Sequence, residues 1–264
     1  MNTENKGKAL ITGASSGIGE VYAQRLADRG YDLILVARRL DRLEALAREV
    51  ATRTGRKAEV LQADLGDRAG IAAVEQRLAE DQTITLFVNN AGISLNGSIL
   101  ENGSAQIEQL IVVNTLAPTL LAAAAAKAFV ARDKGGIISI ASVLALVPEM
   151  MDGLYSGTKA HLVNMTLGLA AKLQGTNVRA QAVLPGATRS EIWEKSGKDI
   201  DAILPGMVMD TADLVDAALV GYDRGEVVTI PPLEDEGQYK AYDAARLAMA
   251  PNLSRKDVGT RYRA

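Results

Sequence analysis

The stretch that decides the fold runs from residue 8 to residue 19 and reads KALITGASSGIG. Lys8–Thr12 is a short aliphatic run typical of a buried strand, and a helical pattern follows from Ile18. Three glycines at this junction, Gly13, Gly17 and Gly19, permit a tight turn and close approach of a ligand to the backbone. A turn of this kind is typical of dinucleotide sites, where free N–H groups at the start of the helix face a pyrophosphate. The predicted phosphate-binding residues are Gly13, Ser15, Ser16, Gly17, Ile18 and Gly19.

Outside this turn, short apolar runs alternate with longer helical patterns. Several runs are apolar throughout, which is typical of parallel strands covered by helices on both faces. The alternation predicts an α/β fold, a doubly wound sheet with right-handed crossovers. The predicted strands are 8–12, 32–37, 58–62, 84–88, 136–141, 177–184 and 227–230, and the main later helices are 68–79, 104–131, 155–173, 211–222 and 238–249.

The composition limits both the domain count and the chemistry. A chain of 264 residues without a Pro/Ser-rich linker is interpreted as one domain, 1–264, with a substrate lid at about 186–209 and a tail at 231–264. The absence of cysteine excludes disulfides, thiolate metal sites and a cysteine nucleophile. The single histidine, His161, excludes a multi-histidine metal site, so no metal is expected, and we interpret it as a packing or interface residue.

Charge and hydropathy disfavour two classes of partner. A net charge of −3 with 4% aromatic residues makes nucleic acid a poor candidate. The most apolar stretch, 116–130, contains Pro118, Thr119 and Lys127 and is shorter than the roughly 20 residues that span a bilayer. The first residues, MNTENKGK, have no hydrophobic segment of a signal peptide. We therefore expect a soluble, cytoplasmic protein with no membrane partner.

The residues after the second and third predicted strands bear on which dinucleotide binds. An acidic residue about 20 residues past the glycines grips the ribose of NAD, whereas a basic residue accommodates the 2′-phosphate of NADP. Arg38 and Arg39 stand at this place, which predicts NADP(H). The third strand leads into Asp64 and Leu65, where Asp64 is either an acceptor for the adenine amino group or a helix N-cap.

Polar groups with catalytic chemistry follow the next strands. The sequence Asn89-Asn90-Ala91-Gly92 follows the fourth strand, and Ser142 ends the fifth. Tyr155 and Lys159 are four residues apart on a predicted helix, so they share one face. A phenol beside an ammonium group is suited to acid–base chemistry, since the charge favours the phenolate.

These motifs occur in a characteristic order: TGASSGIG, NNAG, Asn114, Ser142, Tyr155-x-x-x-Lys159 and Pro185-Gly186. The set resembles the short-chain dehydrogenases/reductases of the single-domain type, and the resemblance extends from Lys8 to about Ile230. The YxxxK pattern alone arises by chance, whereas the ordered set is highly specific. The resemblance implies a Rossmann fold with a mainly parallel, seven-stranded sheet flanked by helices.

The resemblance also implies roles for the site residues. Tyr155 would be the general acid/base. Lys159 and the positively charged nicotinamide would together lower the pKa of its phenol, and Lys159 would also bind the nicotinamide ribose. Ser142 would bond the substrate oxygen, and Asn114 would hold a water that links Lys159 to solvent. Further cofactor contacts would come from Asn90, Ala91, Gly92, Pro185, Gly186 and Thr188.

The residues expected around the substrate are nearly all apolar. They suggest a hydrophobic ketone or secondary alcohol, interconverted by an NADP(H)-dependent oxidoreductase. Two alternatives remain: an NADP(H)-binding redox sensor without significant turnover, and an enzyme that epimerises or dehydrates nucleotide sugars, although the latter resembles longer chains with different glycine spacing. The expected pocket residues are Leu95, Val143, Leu144, Leu146, Met150, Met151, Trp193, Met207 and Met209.

Two predicted helices carry more apolar surface than one sheet-facing stripe requires. These are 104–131, with the run Ala122–Ala126, and 155–173, with Leu167 and Ala171. Helices that are apolar on two sides normally have a second partner. In the family that the sequence resembles, these two helices pair with their copies across a two-fold axis. We therefore expect a homo-oligomer, with a tetramer ahead of a dimer.

Overall fold

The computed structural model describes residues 5–97, 99–150, 153–189 and 204–263. The chain divides into two compact units, Met1–Pro231 and Pro232–Ala264. The first unit contains the sheet, and the second begins one residue after the predicted start of the tail. Most of the predicted lid, residues 190–203 with Trp193, lies outside the described residues, as does Met151.

The first unit is built on a parallel sheet of seven strands in the order β3-β2-β1-β4-β5-β6-β7. Strands β1 to β3 progress in one direction from the centre and β4 to β7 in the other. This order confirms the predicted doubly wound sheet, and the predicted bounds agree within one residue at each end. The strands are β1 (Lys8–Thr12), β2 (Asp32–Ala37), β3 (Ala58–Gln62), β4 (Ile84–Asn89), β5 (Gly135–Ile140), β6 (Val178–Val183) and β7 (Val228–Thr229).

Helices cover both faces of the sheet. Successive residues of a strand point to opposite faces, so Leu33 and Leu35 join one core cluster while Ile34 and Val36 join the other. Helices α1 (Gly17–Asp28), α2 (Leu40–Thr54) and α7 (Thr211–Asp223) contribute to the first cluster. Helices α3 (Arg68–Glu80), α5 (Ala117–Ala131) and α6 (Gly153–Lys172) border the second. The remaining helices are α4 (Ser104–Ile111) and α8 (Glu236–Met249).

The helix predicted over 104–131 is not continuous. Between α4 and α5 lies a π-helical turn, Val112–Leu116, which contains the buried Asn114. Proline lacks an N–H group, so Pro118 cannot donate the helical bond to the carbonyl of Asn114. The π-helical turn, whose hydrogen bonds span one residue more than those of an α-helix, occupies the segment directly before α5.

The segment from α4 to α5 contains a run long and apolar enough, by length and composition, to cross a membrane. In the fold, α5 packs against α3, β4 and β5, and Leu121, Ala125 and Phe129 are fully buried. The apolar character of α5 is therefore explained by its place in the core. Its polar contact with α6 is a hydrogen bond from His161 Nε2 to Thr119 Oγ1 at 2.7 Å, since the Thr119 hydroxyl donates to Thr115.

The second unit, Pro232–Ala264, is built around α8. Asp235 caps this helix by accepting from the backbone N–H of Gly237 at 2.8 Å. No side chain in the described part of this unit is buried.

Candidate active site

The site lies where the sheet changes direction, at the carboxyl ends of β1 and β4. These strands pair with each other, but the helices that follow them pack on opposite faces of the sheet. Ligands of doubly wound folds bind at such a point. The glycine turn after β1 and the Asn90 loop after β4 thus meet, as the sequence predicts.

The glycine turn is packed tightly against the Asn90 loop. Gly13 has φ +69°, and a Cβ atom there would lie 2.7 Å from the Asn90 side-chain nitrogen. That nitrogen donates to the carbonyl of Thr12 at 2.8 Å. A Cβ on Gly19 would overlap the carbonyl of Gly13. The turn therefore requires these glycines, and α1 starts directly behind it at Gly17.

Thr12, which the sequence motifs do not single out, joins the two loops. Its Oγ1 accepts the backbone N–H groups of Asn90 at 3.0 Å and Ala91 at 3.1 Å. The same hydroxyl is 3.3 Å from the carbonyl of Val88, to which it donates. Thr12 begins the TGASSGIG motif and its partners belong to the NNAG motif, but the two motifs are more than 70 residues apart and neither indicates that they bond to each other.

The two arginines after β2 are arranged differently from each other. Arg39 reaches back to the glycine turn and donates to Ser15 Oγ at 3.1 Å and Ser16 Oγ at 2.9 Å. Arg38 is exposed, with its guanidinium 3.9 Å from a carboxylate oxygen of Asp64. The two cations predicted from the sequence therefore have different places. Arg39 holds the glycine turn, and Arg38 faces the region beside β3.

The structure tests one of the two interpretations of Asp64, that of a helix N-cap. The N-cap of α3 is Asp67, which accepts from the backbone N–H of Gly70 at 2.6 Å. Asp64 instead accepts from the N–H of Gly66 at 2.8 Å, within the loop that contains Leu65. The N-cap interpretation is thus wrong, and Asp64 stands at the sheet edge beside Arg38.

Tyr155 and Lys159 lie on the first turns of α6, which begins two residues earlier than predicted. Lys159 is 4% exposed, and its Nζ donates to the carbonyl of Ile140 at 3.0 Å. The ammonium is 5.6 Å from the centre of the Tyr155 ring. Burial disfavours the charged amine and lowers the pKa of Lys159 to about 8.

Burial raises the pKa of Tyr155 to about 12, because desolvation penalises the phenolate. The lowering of this pKa expected from Lys159 is therefore not found in the chain alone. In this structure the phenol of Tyr155 is protonated at neutral pH.

Asn114 is fixed from three directions beside Lys159. Its side chain accepts the N–H of Ile93 and donates to the carbonyl of Ile93, both at 2.8 Å. Its Nδ2 also lies 3.3 Å from the hydroxyl of Thr158, which donates to the carbonyl of Tyr155. The π-turn thus places an amide between the loop after β4 and the start of α6.

Gly92 lies close to the side chains of Lys159 and Asn114. A Cβ atom on Gly92 would stand 3.4 Å from Lys159 Nζ and 3.5 Å from Asn114 Oδ1. A side chain at this position would therefore contact both groups. Together with the glycine turn and the exposed cation of Arg38, these groups are suited to a nicotinamide dinucleotide at the sheet edge.

Ser142 and Thr188 complete the edge. Ser142 Oγ accepts the N–H of Leu144 at 3.2 Å, an arrangement that directs its own hydrogen elsewhere. The loop after β5 is tied to the loop after β6 by a bond from the N–H of Val143 to the carbonyl of Pro185 at 2.9 Å. Thr188 is buried, and its hydroxyl donates to the carbonyl of Gly186 at 3.0 Å.

The expected pocket residues fall into two groups. Val143 and Leu146 pack against the core cluster that contains Leu162 and Leu184, so their role is partly structural. Met150 is 70% exposed and Met207 is 65% exposed. Three further residues of the expected pocket are half-buried: Leu95, Leu144 and Met209.

Solved structures resemble the chain over almost its whole length. A short-chain dehydrogenase from Sphingobium yanoikuyae in complex with NADPH is 46% identical, with a TM-score of 0.94, over 97% of this chain and 100% of that one. A bulky-bulky ketone specific alcohol dehydrogenase from Comamonas testosteroni is 41% identical, with a TM-score of 0.91, over 99% and 100%.

Among curated relatives, the human 17-beta-hydroxysteroid dehydrogenase type 3 is 33% identical over 181 residues, 68% of this chain and 58% of that enzyme. The chain thus spans less than two thirds of the length of such relatives. The family model for short chain dehydrogenase matches residues 7–201. With the fold, the glycine turn and the Tyr155–Lys159 pair in place, these matches show that the chain belongs to the short-chain dehydrogenase/reductase family.

Proposed function

We propose that the protein is an NADP(H)-dependent oxidoreductase that interconverts bulky apolar ketones and their secondary alcohols. The observation that carries the proposal is the buried ammonium of Lys159, which donates to the carbonyl of Ile140 and lies beside Tyr155 and close to Gly92. Burying a charged amine costs free energy, and a pKa shifted in this way is typical of functional sites. The NADPH complex of the Sphingobium relative supports the choice of cofactor.

Different residues have different roles in ketone reduction. NADPH supplies the hydride, and the chain supplies the proton and the binding site for the ketone oxygen. The phenol of Tyr155 donates its proton to that oxygen as negative charge develops, while Ser142 donates a second hydrogen bond. The charged Lys159 lies close enough to stabilise the phenolate that remains, and Asn114 holds the loop at Ile93 against α6.

The other assigned residues would hold the cofactor. The glycine turn, with Ser15, Ser16 and Ile18, would receive the pyrophosphate at the start of α1. Asn90, Ala91 and Gly92 would form the floor, while Pro185, Gly186 and Thr188 would contact the nicotinamide. Arg38 would bind the 2′-phosphate, and Asp64 and Leu65 would border the adenine.

A substrate with two bulky groups is favoured by the surfaces beside the site. Exposed methionines adapt to irregular apolar groups, and Met150 and Met207 come from the loops after β5 and β6. The Comamonas relative acts on bulky-bulky ketones. We therefore expect diaryl or long dialkyl ketones to be better substrates than acetone.

The test is NADPH oxidation, followed by absorbance, with a panel of ketones of increasing size on both sides of the carbonyl. Turnover that rises with the second substituent supports the proposal. Tight NADPH binding without turnover of any ketone or alcohol would favour the redox-sensor alternative instead.

Replacing Arg38 by Asp should reduce the preference for NADPH over NADH by about ten- to a hundredfold, because one charge-assisted bond contributes roughly 1.5–3 kcal/mol. The measurement is the ratio of kcat/KM for the two cofactors. Arg48→Asp, an exposed substitution on α2, is the matched control. An unchanged ratio in Arg38→Asp, or equal use of NADH and NADPH by the unaltered protein, contradicts the assignment.

We also propose that the protein is a cytoplasmic homo-oligomer, a tetramer ahead of a dimer, in which α5 and α6 pair with their copies. Ala171 is exposed on α6, so Ala171→Glu should weaken assembly without disturbing the core. Ala124 is partly buried against the core, so Ala124→Glu would also affect folding. Sedimentation should show smaller particles for Ala171→Glu and no change for Ala51→Glu on α2. A monomer at micromolar concentration before any substitution would contradict the proposal.

A further inference from the structure

Helix α8 carries an apolar stripe, most of which is exposed. Tyr239, Tyr242, Arg246 and Met249 recur at spacings of three, four and three residues, which places them on one side of the helix, and Leu253 follows a short 3-10 helix, Ala250–Asn252. Tyr242 is 49% exposed, Met249 53% and Leu253 73%. This set of five residues is called the α8 stripe.

The α8 stripe has the composition of an interface rather than of a solvated face. Tyrosine, methionine and arginine are enriched where protein surfaces meet. The charge of Arg246 is balanced by Asp243 at 2.7 Å, so it leaves little net charge on the stripe. An isolated helix of this length is marginal in water, and without buried side chains α8 gains little from its own unit.

Charge is separated along the second unit. Three acidic residues precede and begin the helix, Glu234, Asp235 and Glu236. Four basic residues follow it, at positions 255, 256, 261 and 263, with one acidic residue, Asp257, among them. Glu236 pairs with Lys240 within the helix at 2.6 Å, so the acidic end keeps a net negative charge from Glu234 and Asp235 and the other end is net positive.

We propose that the α8 stripe pairs with the α8 stripe of a second copy of this chain, with the two helices antiparallel about a two-fold axis. Antiparallel pairing brings the acidic end of each copy to the basic end of the other, whereas parallel pairing places like charges together. It also opposes the two helix dipoles. The midpoint between Asp235 and Arg255 is Ala245, so Tyr242 of one copy lies level with Ala248 of the other, one residue from Met249.

Disulfide trapping tests this arrangement, and the chain has no cysteine to interfere. Tyr242→Cys and Met249→Cys chains are mixed and oxidised. A mixed disulfide in excess over both homodisulfides is the expected result. Ala244→Cys, exposed on the opposite side of α8, should not cross-link with Met249→Cys. Predominant linking of Tyr242→Cys to itself, or no linking, would overturn the proposal.

Charge exchange provides an independent test that needs no activity. One variant carries Glu234→Lys and Glu236→Lys, which retains the Asp235 cap, and the other carries Arg255→Glu and Lys256→Glu. Both variants are made in the Ala171→Glu chain. Each variant alone should self-associate about tenfold more weakly in sedimentation than the Ala171→Glu chain without the charge changes, and a mixture of the two variants should recover the association. Equal association of single variants and mixture, or flotation of the chain with phosphatidylserine vesicles in place of cross-linking, counts against pairing between copies.

Discussion

Tyr155→Phe is expected to lower kcat by about a hundred- to ten-thousandfold, the usual contribution of a general acid. The substitution removes the proton donor but keeps the ring beside Lys159, so NADPH affinity should stay within a few-fold. The two measurements are steady-state reduction of a bulky ketone and a fluorescence titration with NADPH.

Tyr22→Phe is the matched control for this change. The Tyr22 hydroxyl is fully buried in the core and has no hydrogen-bond partner among the described residues. Its removal should leave both kcat and NADPH affinity unchanged, because no bond is lost. If Tyr155→Phe retains more than a tenth of the original kcat, Tyr155 is not the proton donor.

Lys159→Ala is expected to lower kcat by a factor similar to that for Tyr155→Phe and to weaken NADPH binding as well. The ammonium is the only cation shown next to the Tyr155 ring in the described part of the chain, and it lies close to Gly92. Lys172→Ala, an exposed change on the same helix, should have neither effect. Loss of turnover with unchanged NADPH affinity would remove Lys159 from the cofactor site.

The lowered pKa of Lys159 also gives this variant a signature in stability. Because the pKa of Lys159 is about 8 in the folded protein and about 10.5 in the unfolded chain, the unfolded chain binds more protons between these pH values. The free energy of unfolding therefore rises with pH through this window. In urea titrations, Lys159→Ala should lose this part of the pH dependence. A slope identical to that of the unaltered protein would contradict the buried-amine interpretation.

Much of the site is predictable because its motifs lie beside regular elements. The turn at Gly13 follows a strand, and Tyr155 and Lys159 share a helix face, so local periodicity is enough to place them. Thr12 and Thr158 were not predicted, because their roles depend on partners distant in the chain. The carbonyl of Ile140 has no sequence signal at all, since any residue there offers the same acceptor.

Errors arose where burial or backbone geometry outweighs residue type. The identity of Lys159 predicts a lowered phenol pKa for Tyr155, but the sequence does not reveal how deeply the ring is desolvated. The pattern over 104–131 predicts one helix, because a π-turn keeps the apolar spacing nearly intact. Arg38 and Arg39 look equivalent in the sequence, and only the fold shows that Arg39 turns back to Ser15.

The hydroxyl of Thr12 has a consequence for the order of folding. Its partners at Asn90 and Ala91 are 78 and 79 residues downstream. A chain emerging from the ribosome thus carries the glycine turn long before β4 exists to hold it. The first three strands can collapse early, but the turn acquires its final shape only when the second half of the sheet joins at the centre. Closing that long loop is entropically slow, so competence to bind nucleotide is a late event in the maturation of this protein.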